Sequence, residues 1–149
     1  MAKPKQKGMR GEYEVAAIMQ EVKDEVAESL GVPELSTRIV RNLEQTRGGG
    51  YDLVGTFDFA MEVKFQEQFS FKDWWAQAVG QTPEGMIPVL IYRKANVKFR
   101  VRMHTYFFVG TKRVRVLSDM DLPSFLTIFR LHCIEQFEKL KCQTQGMSK

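Results

Sequence analysis

Cysteine and histidine are scarce in this chain of 149 residues, with two of each. Cys133 and Cys142 stand in what reads as one helix, where about 100° per residue turns them to opposite faces, so they cannot bridge each other within it. Together with His104 and His132 they lack the spacing of a zinc site. Two idle thiols fit a reducing, cytoplasmic setting. Long apolar runs are missing too. The longest, Ile87 to Tyr92, is far short of the roughly 18 residues a membrane span needs. The basic N-terminus leads into no apolar segment of the secretory kind, so a soluble, unsecreted protein without a membrane partner is expected. No repeat or low-complexity linker divides the sequence. One domain over residues 1–149 is therefore expected, with a basic arm at 1–7 and a C-terminal helix at 121–141.

Acidic residues are absent from one long stretch. Between Met86 and Val116 there is no Asp or Glu, while Arg93, Lys94, Lys98, Arg100, Arg102, Lys112, Arg113 and Arg115 are all positive. The whole chain is only +4, so the remainder is net negative and the asymmetry is local. Lys3, Lys5, Lys7 and Arg10 add a basic N-terminus, and Arg38, Arg41 and Arg47 flank a glycine run. Such clustering is the footprint expected for a polyanion, and it nominates Lys5, Lys7, Arg10, Arg38, Arg41, Arg47, Arg93, Lys98 and Arg100 as nucleic-acid contacts. Charge alone equally describes a solvated strand face whose edge cations discourage aggregation.

Hydropathy patterning orders the elements. Val15, Ile18, Met19, Val22, Val26 and Leu30 recur at helical spacing, which predicts a helix over about 8–30 ended by Gly31 and Pro33. Short strands are expected at 37–40 and 52–54, separated by a loop at 45–50, and a third at 59–65 after a turn at 55–58. A short helix at 71–79 carries Trp74 and Trp75. The continuous apolar run at 87–92 reads as a strand buried on both faces. The alternation at 97–103 reads as a half-exposed strand, followed by strand-like segments at 106–109 and 112–116. Asp121 can cap a final helix with Pro123 in its first turn. On that helix Leu122, Phe125, Phe129 and Leu140 face a core, while Ile128, Leu131 and Ile134 form a second apolar line that calls for another partner, a dimer mate being one. The pattern is a mixed α/β domain.

The third strand holds the chemistry. Alternation puts Ala60, Glu62 and Lys64 on one face and Met61, Val63 and Phe65 on the other, so a carboxylate and an ammonium project together from an apolar strand. Asp52 starts the preceding strand, and a hairpin through 55–58 brings it beside Glu62. Two carboxylates that close need a proton or a cation between them, and a hard oxygen-seeking ion such as Mg²⁺ suits them. Glu12 extends the apolar face of the first helix toward the same pocket as a third carboxylate. Each is ordinary alone: Glu12 as a first-turn acid favouring the helix dipole, Glu62 with Lys64 as a surface pair. In the order Glu, Asp, Glu-x-Lys across helix, strand and strand they form a motif with structural context.

Asp52 followed by Glu62-Val63-Lys64 resembles the PD-(D/E)xK nuclease signature. Lys7-Gly8-Met9-Arg10-Gly11-Glu12-Tyr13-Glu14 is similar to the K-G-x-x-x-E-x-E opening of archaeal-type Holliday junction resolvases. Ile39-Val40-Arg41, a glycine loop, Asp52-Leu53-Val54, Met61-Glu62-Val63-Lys64 and Ile87-Pro88-Val89-Leu90 follow in that family's order. The likeness covers roughly residues 7 to 103. It implies a restriction-endonuclease-like mixed β-sheet flanked by helices, in a homodimeric Mg²⁺-dependent endonuclease, with Mn²⁺ as a substitute. That enzyme nicks a four-way DNA junction symmetrically. Carried over by position, Glu12, Asp52, Glu62 and Lys64 are catalytic. Asp52, Glu62 and the Val63 carbonyl hold the metal, Glu12 serves a second metal or its water shell, and Arg41 touches phosphate. Tyr51 replaces the signature proline, Tyr13 replaces an arginine after the glutamate, and the loop at 42–50 is longer than in that family and lacks its serine. A viral or archaeal recombination gene fits this size.

Other features stay open in the sequence. Phe69, Phe71, Trp74 and Trp75 read as core or dimer contacts, or as a stacking platform for bases. Gln77 and Gln81, one turn apart, face DNA or water near the metal, or plain solvent. The run Gly48-Gly49-Gly50 lacks the Lys-Ser/Thr of a P-loop. Another nuclease of the same fold acting on duplex or branched DNA, and a non-catalytic DNA-binding protein of that fold, are the rival readings.

Overall fold

The computed structural model describes residues 4–43, 50–94 and 96–147, with side chains from Met9 to Gly146 within those ranges. Helix α1 (Pro4–Ser29) begins earlier than the hydropathy pattern indicates. Proline is tolerated in a first helical turn and Lys and Gln are good helix formers, so residues 4–7 of the basic segment are helical, while residues 1–3 lie outside the described residues. Val15, Ala16, Met19, Val22 and Val26 are its buried stripe. It closes where the Val32 amide reaches back to the Ala27 carbonyl at 2.9 Å.

A 3₁₀ turn (Pro33–Leu35) leads to β1 (Val40–Arg41), which pairs antiparallel with β2 (Leu53–Val54). The main sheet has four strands in the order β3-β4-β5-β6: β3 (Phe59–Phe65), β4 (Ile87–Arg93), β5 (Arg100–Val109) and β6 (Lys112–Asp121). β3 and β4 are parallel, joined by helix α2 (Phe71–Gln81), and the remaining pairs are antiparallel. Parallel neighbours need such a crossover. The segments expected separately at 97–103 and 106–109 form one strand. Helix α3 (Leu122–Met147) follows, its first turn capped as expected by Asp121 Oδ1, which accepts from the Ser124 amide at 2.8 Å.

The result is a three-layer α/β fold, a four-stranded mixed sheet flanked by helices. Met61, Val63, Val89, Ile91, Val101 and Met103 point to one side, where α1 and α3 cover them with Met19, Phe125, Phe129 and Phe137. On the other side α2 seats Trp74 over Leu90 and Tyr92, with Phe69, Phe71 and Trp75 packed round them. The aromatic cluster is thus the second core. Of the line Ile128, Leu131 and Ile134, two residues pack against the main core and only Leu131 is exposed, at 62%. Among its described residues α3 therefore carries no free apolar stripe, and of this line only Leu131 is open to a partner. Cys133 is buried and Cys142 exposed.

One buried cation ties the layers together. Lys23, fully buried, donates to the Thr37 carbonyl (2.9 Å), the Thr37 hydroxyl (3.0 Å) and the Gly55 carbonyl (2.8 Å), matching three N–H bonds with three acceptors. Gln20 Oε1 accepts from the Ile39 amide at 2.7 Å. These bonds fix the turn at Gly55 and hence the hairpin that carries Asp52 toward β3.

Candidate active site

β3 places Glu62 and Lys64 on the α2 side of the sheet, because alternate residues share a face. Glu62 is buried and its Oε1 lies 3.0 Å from Lys64 Nζ. Asp52 enters from the edge beyond β3: its amide donates to the Met61 carbonyl at 2.7 Å, and its Oδ2 accepts from the Val63 amide at 2.7 Å. The N–H and C=O of a strand residue point to the same edge. The Val63 carbonyl therefore shares the edge of β3 on which Asp52 sits.

The two carboxylates perturb each other. Burial, then the charge of Asp52, raises the Glu62 carboxyl to about 7 against the opposing pull of Lys64, with Glu12 adding a smaller upward push. At neutral pH such a site attracts a proton or a cation. Two carboxylates and a backbone carbonyl are the hard oxygen set that Mg²⁺-like ions accept, with water completing the shell. The residues present therefore fit a divalent ion held by Asp52, Glu62 and Val63.

Glu12 reaches the same region because α1 lies close on β3. A Cβ at Gly11 would stand 3.2 Å from Phe65 Cβ and 3.5 Å from Val63 Cγ1, so a glycine here permits the approach. Glu12 is buried, as its stripe predicts, but its Oε2 is taken by Arg41 Nε at 2.5 Å. Among the described residues no three His, Cys, Asp or Glu side chains converge as a metal site needs. The expected third carboxylate is thus paired with a guanidinium, and the convergent pair is Asp52 with Glu62.

The helix after β3 completes the site in a way spacing alone leaves open. Lys64 Nζ donates to Gln77 Oε1 at 3.0 Å. With its nitrogen turned toward Glu62, the Gln81 amide donates to Glu62 Oε2 at 2.8 Å and to the Gly50 carbonyl at 3.0 Å, while its oxygen accepts from Gln77 Nε2 at 3.1 Å. Glu62, Lys64, Gln77 and Gln81 close a hydrogen-bonded ring. Preorganised side chains of this sort hold a charged pair in register. Gln77 and Gln81 face the site, the first of the two alternatives their spacing offers.

The nominated basic residues divide. Arg10, Arg38 and Lys98 are exposed, and Arg10 keeps a loose pair with Glu14 at 3.5 Å. Arg38 and Arg41 border a hollow of about 650 Å³ lined also by Tyr13, Ile39 and Leu43. Arg93 is held by Glu14 and lies between the Phe65 and Phe99 rings, 4.6 and 4.3 Å from their centroids. Arg100 and Arg102 share Asp119, at 2.8 and 3.3 Å, with the Tyr92 hydroxyl donating to the same carboxylate. The structure thus uses Arg93 and Arg100 within the fold. The Lys5 and Lys7 side chains, Arg47, Gly48 and Gly49 lie outside the described residues.

Lys23 is the residue that sequence reading passes over, although it stands four after Met19 on the apolar stripe. No described helix is long and apolar enough to cross a membrane. The chain has no match among curated proteins or solved structures. The family described as "Phage putative PDDEXK endonuclease" matches residues 3–120, from α1 through β6 and including every element of the site. The chain belongs to that family and is a nuclease of the PD-(D/E)xK superfamily.

Proposed function

We propose that this nuclease is a Mg²⁺-dependent, structure-selective endonuclease that resolves four-way DNA junctions by paired symmetric nicks, acting as a homodimer. The observation that carries its chemistry is the buried Glu62 beside Asp52 across the Val63 amide, with Lys64 Nζ 3.0 Å from Glu62. The choice of a junction rests on the likeness of residues 7–14 to the resolvase opening. A two-fold symmetric substrate suits a two-fold protein. The family's phage description fits a virus-encoded enzyme acting inside its host cell.

Asp52, Glu62 and the Val63 carbonyl hold the metal, and Glu12 serves a second ion or its water shell. A bound divalent cation supplies polarisation of the scissile phosphate and a water of lowered pKa. Lys64, steadied by Gln77, neutralises the charge that builds on the phosphate oxygens, a preorganised cation being worth most where water is excluded. Arg41, oriented by Glu12, contacts a neighbouring phosphate. Lys5, Lys7, Arg10, Arg38, Arg47 and Lys98 add backbone contacts that position DNA without reading its sequence. Arg93 and Arg100, already held by Glu14 and Asp119, contribute field more than contact. Mn²⁺ substitutes for Mg²⁺.

The test is cleavage of a labelled four-way junction beside a linear duplex of matched arm sequence, in Mg²⁺ and in Mn²⁺. Paired nicks placed symmetrically in the junction, with the duplex intact, are expected. Equal cutting of both substrates would leave a general nuclease, and tight junction binding with no cutting in either metal would leave a DNA-binding protein of this fold.

A further inference from the structure

The last two strands of the sheet run on beyond the rest. β4 pairs with β5 only over Val89–Tyr92 against Met103–Arg100, whereas the β5–β6 ladder continues from Arg100 opposite Asp121 to Val109 opposite Lys112. From His104 to Leu117 the hairpin is a two-stranded ribbon with no third strand beside it among the described residues. Directly opposed residues of an antiparallel pair share a face. One face carries Tyr106 with Arg115 and Phe108 with Arg113. Following the register from Glu62 to Leu90 to Arg102, that face lies on the same side of the sheet as Glu62, Lys64 and α2.

Its chemistry is unusual for bare surface. Phe108 is 74% and Tyr106 52% exposed, and the Arg113 guanidinium sits 3.9 Å from the Tyr106 ring centroid. Among the described residues Lys112, Arg113 and Arg115 form no ion pair, and the ribbon from 104 to 117 lies wholly within 85–118, a stretch that has no Asp or Glu. At its base a hollow of about 340 Å³ lined by Thr82, Pro83, His104, Tyr106 and Arg115 joins this face to the end of α2, with Glu84 as the one acid at its rim. Exposed aromatics rimmed by cations mark a recognition surface. Arg suits phosphates and guanine edges, and an exposed aromatic suits a thymine methyl in the major groove. A two-stranded ribbon fits the major groove, about 12 Å wide. Seven residues separate Arg102, in the row of Glu62, from Val109 at the tip, a reach of about 24 Å at roughly 3.4 Å per residue. That spans about seven base pairs.

We propose that the β5–β6 ribbon is a DNA-docking arm whose Tyr106, Phe108, Arg113 and Arg115 face enters the major groove of the duplex flanking the cleaved phosphate, with Lys112 on the adjacent backbone. This rests on the nuclease reading and assigns the substrate contact outside the catalytic pocket. It makes duplex DNA, beyond the break itself, part of what the enzyme recognises.

The experiment uses the full chain and two ribbon variants, Lys112→Gln/Arg113→Gln/Arg115→Gln and Phe108→Ala. Binding to a fluorescent linear duplex several turns long is measured in EDTA across a salt series, with circular dichroism and sedimentation as controls. These side chains are exposed, so the variants retain the fold. The triple variant is expected to bind at least about tenfold more weakly at 0.1 M salt, with the slope of log K against log salt shallower by about 2–3, near 0.9 per lost contact. Phe108→Ala is expected to lose about fivefold or more with the slope unchanged, since an apolar contact to base edges releases no counterion. Protection of guanine N7 from dimethyl sulfate in the flanking duplex should disappear in the triple variant. Wild-type affinity and slope in the triple variant overturn the arm. So does a change in sedimentation with DNA binding per assembled particle unaltered, which would make the ribbon a contact between copies. Cleavage by the wild type in Mg²⁺ is scored separately. Cutting with unaffected ribbon variants removes the arm alone, and weakened ribbon variants of a protein that cuts nothing remove the nuclease reading alone.

Discussion

Gly55 offers a quantitative check on how Asp52 is brought to β3. Its φ is +99°, and a Cβ there would stand 2.6 Å from the Arg38 carbonyl oxygen and 3.2 Å from Ile39 Cα, both backbone atoms that cannot turn aside. Gly85, with φ +86° and nothing within 4 Å, pays the conformational cost alone. Gly85→Ala should therefore cost about 1–2 kcal/mol, the strain of a side chain at positive φ. Gly55→Ala carries that strain and must also push the turn away from the chain at Arg38, weakening the bond from Lys23 to the Gly55 carbonyl, a charged hydrogen bond of about 1.5–3 kcal/mol. The total is about 3–5 kcal/mol. At roughly 2–4 °C per kcal/mol for a chain of this size, the melting temperature should fall by about 6–20 °C against about 2–8 °C for the control. Calorimetry of both variants measures the difference. Cleavage at a temperature where Gly55→Ala remains folded should also drop, because the turn that moves carries Asp52. Equal losses for the two glycines would refute the close-approach argument.

Two further outcomes follow from the packing. Gln81→Leu removes the donor to Glu62 Oε2 while keeping a half-buried side chain of similar size, so cleavage should fall about 10–100-fold, the usual effect of losing a group that orients a metal-binding carboxylate. Stability should change by less than about 1 kcal/mol, measured by urea unfolding. If cleavage by Gln81→Leu matched the wild type, the ring would be incidental. Thiol titration with an aromatic disulfide should count one reactive cysteine in the native protein and two in guanidinium, since Cys142 is exposed while burial pushes the Cys133 thiol up to about 12. Two reactive thiols under native conditions would contradict the placement of α3 on the core.

What could be read from residues alone follows from local periodicity. The alternation in 59–65 assigns Glu62 and Lys64 to one face, the unbroken apolar run at 87–92 marks the inner strand, and the stripe of α1 turns Glu12 inward. The signals that misled were also local. Ile128, Leu131 and Ile134 look like a free stripe because helical spacing does not reveal how far round a helix its neighbours reach, and the main core takes in two of the three. The β5–β6 ribbon reads as broken pieces because its tip, exposed on both faces, has no inside and outside to alternate between. Long-range polar partners leave no periodic trace at all. Nothing near Glu12 announces Arg41, 29 residues on, and the three acceptors of Lys23 come from two distant loops. The ring through Gln77 and Gln81 was visible only as a one-turn spacing with two possible outward directions.

Metal-dependent cutting by the Asp52–Glu62 pair is tested most directly by incubating labelled DNA with wild type, Asp52→Asn and Glu62→Gln in Mg²⁺ and in EDTA, with folding of each variant checked by circular dichroism. The wild type should cut in Mg²⁺ and stop in EDTA, and both folded variants should lose at least about a hundredfold in rate. Cleavage that survives EDTA, or that persists at the wild-type rate in either variant, would contradict the assignment of the two carboxylates as the metal-holding pair.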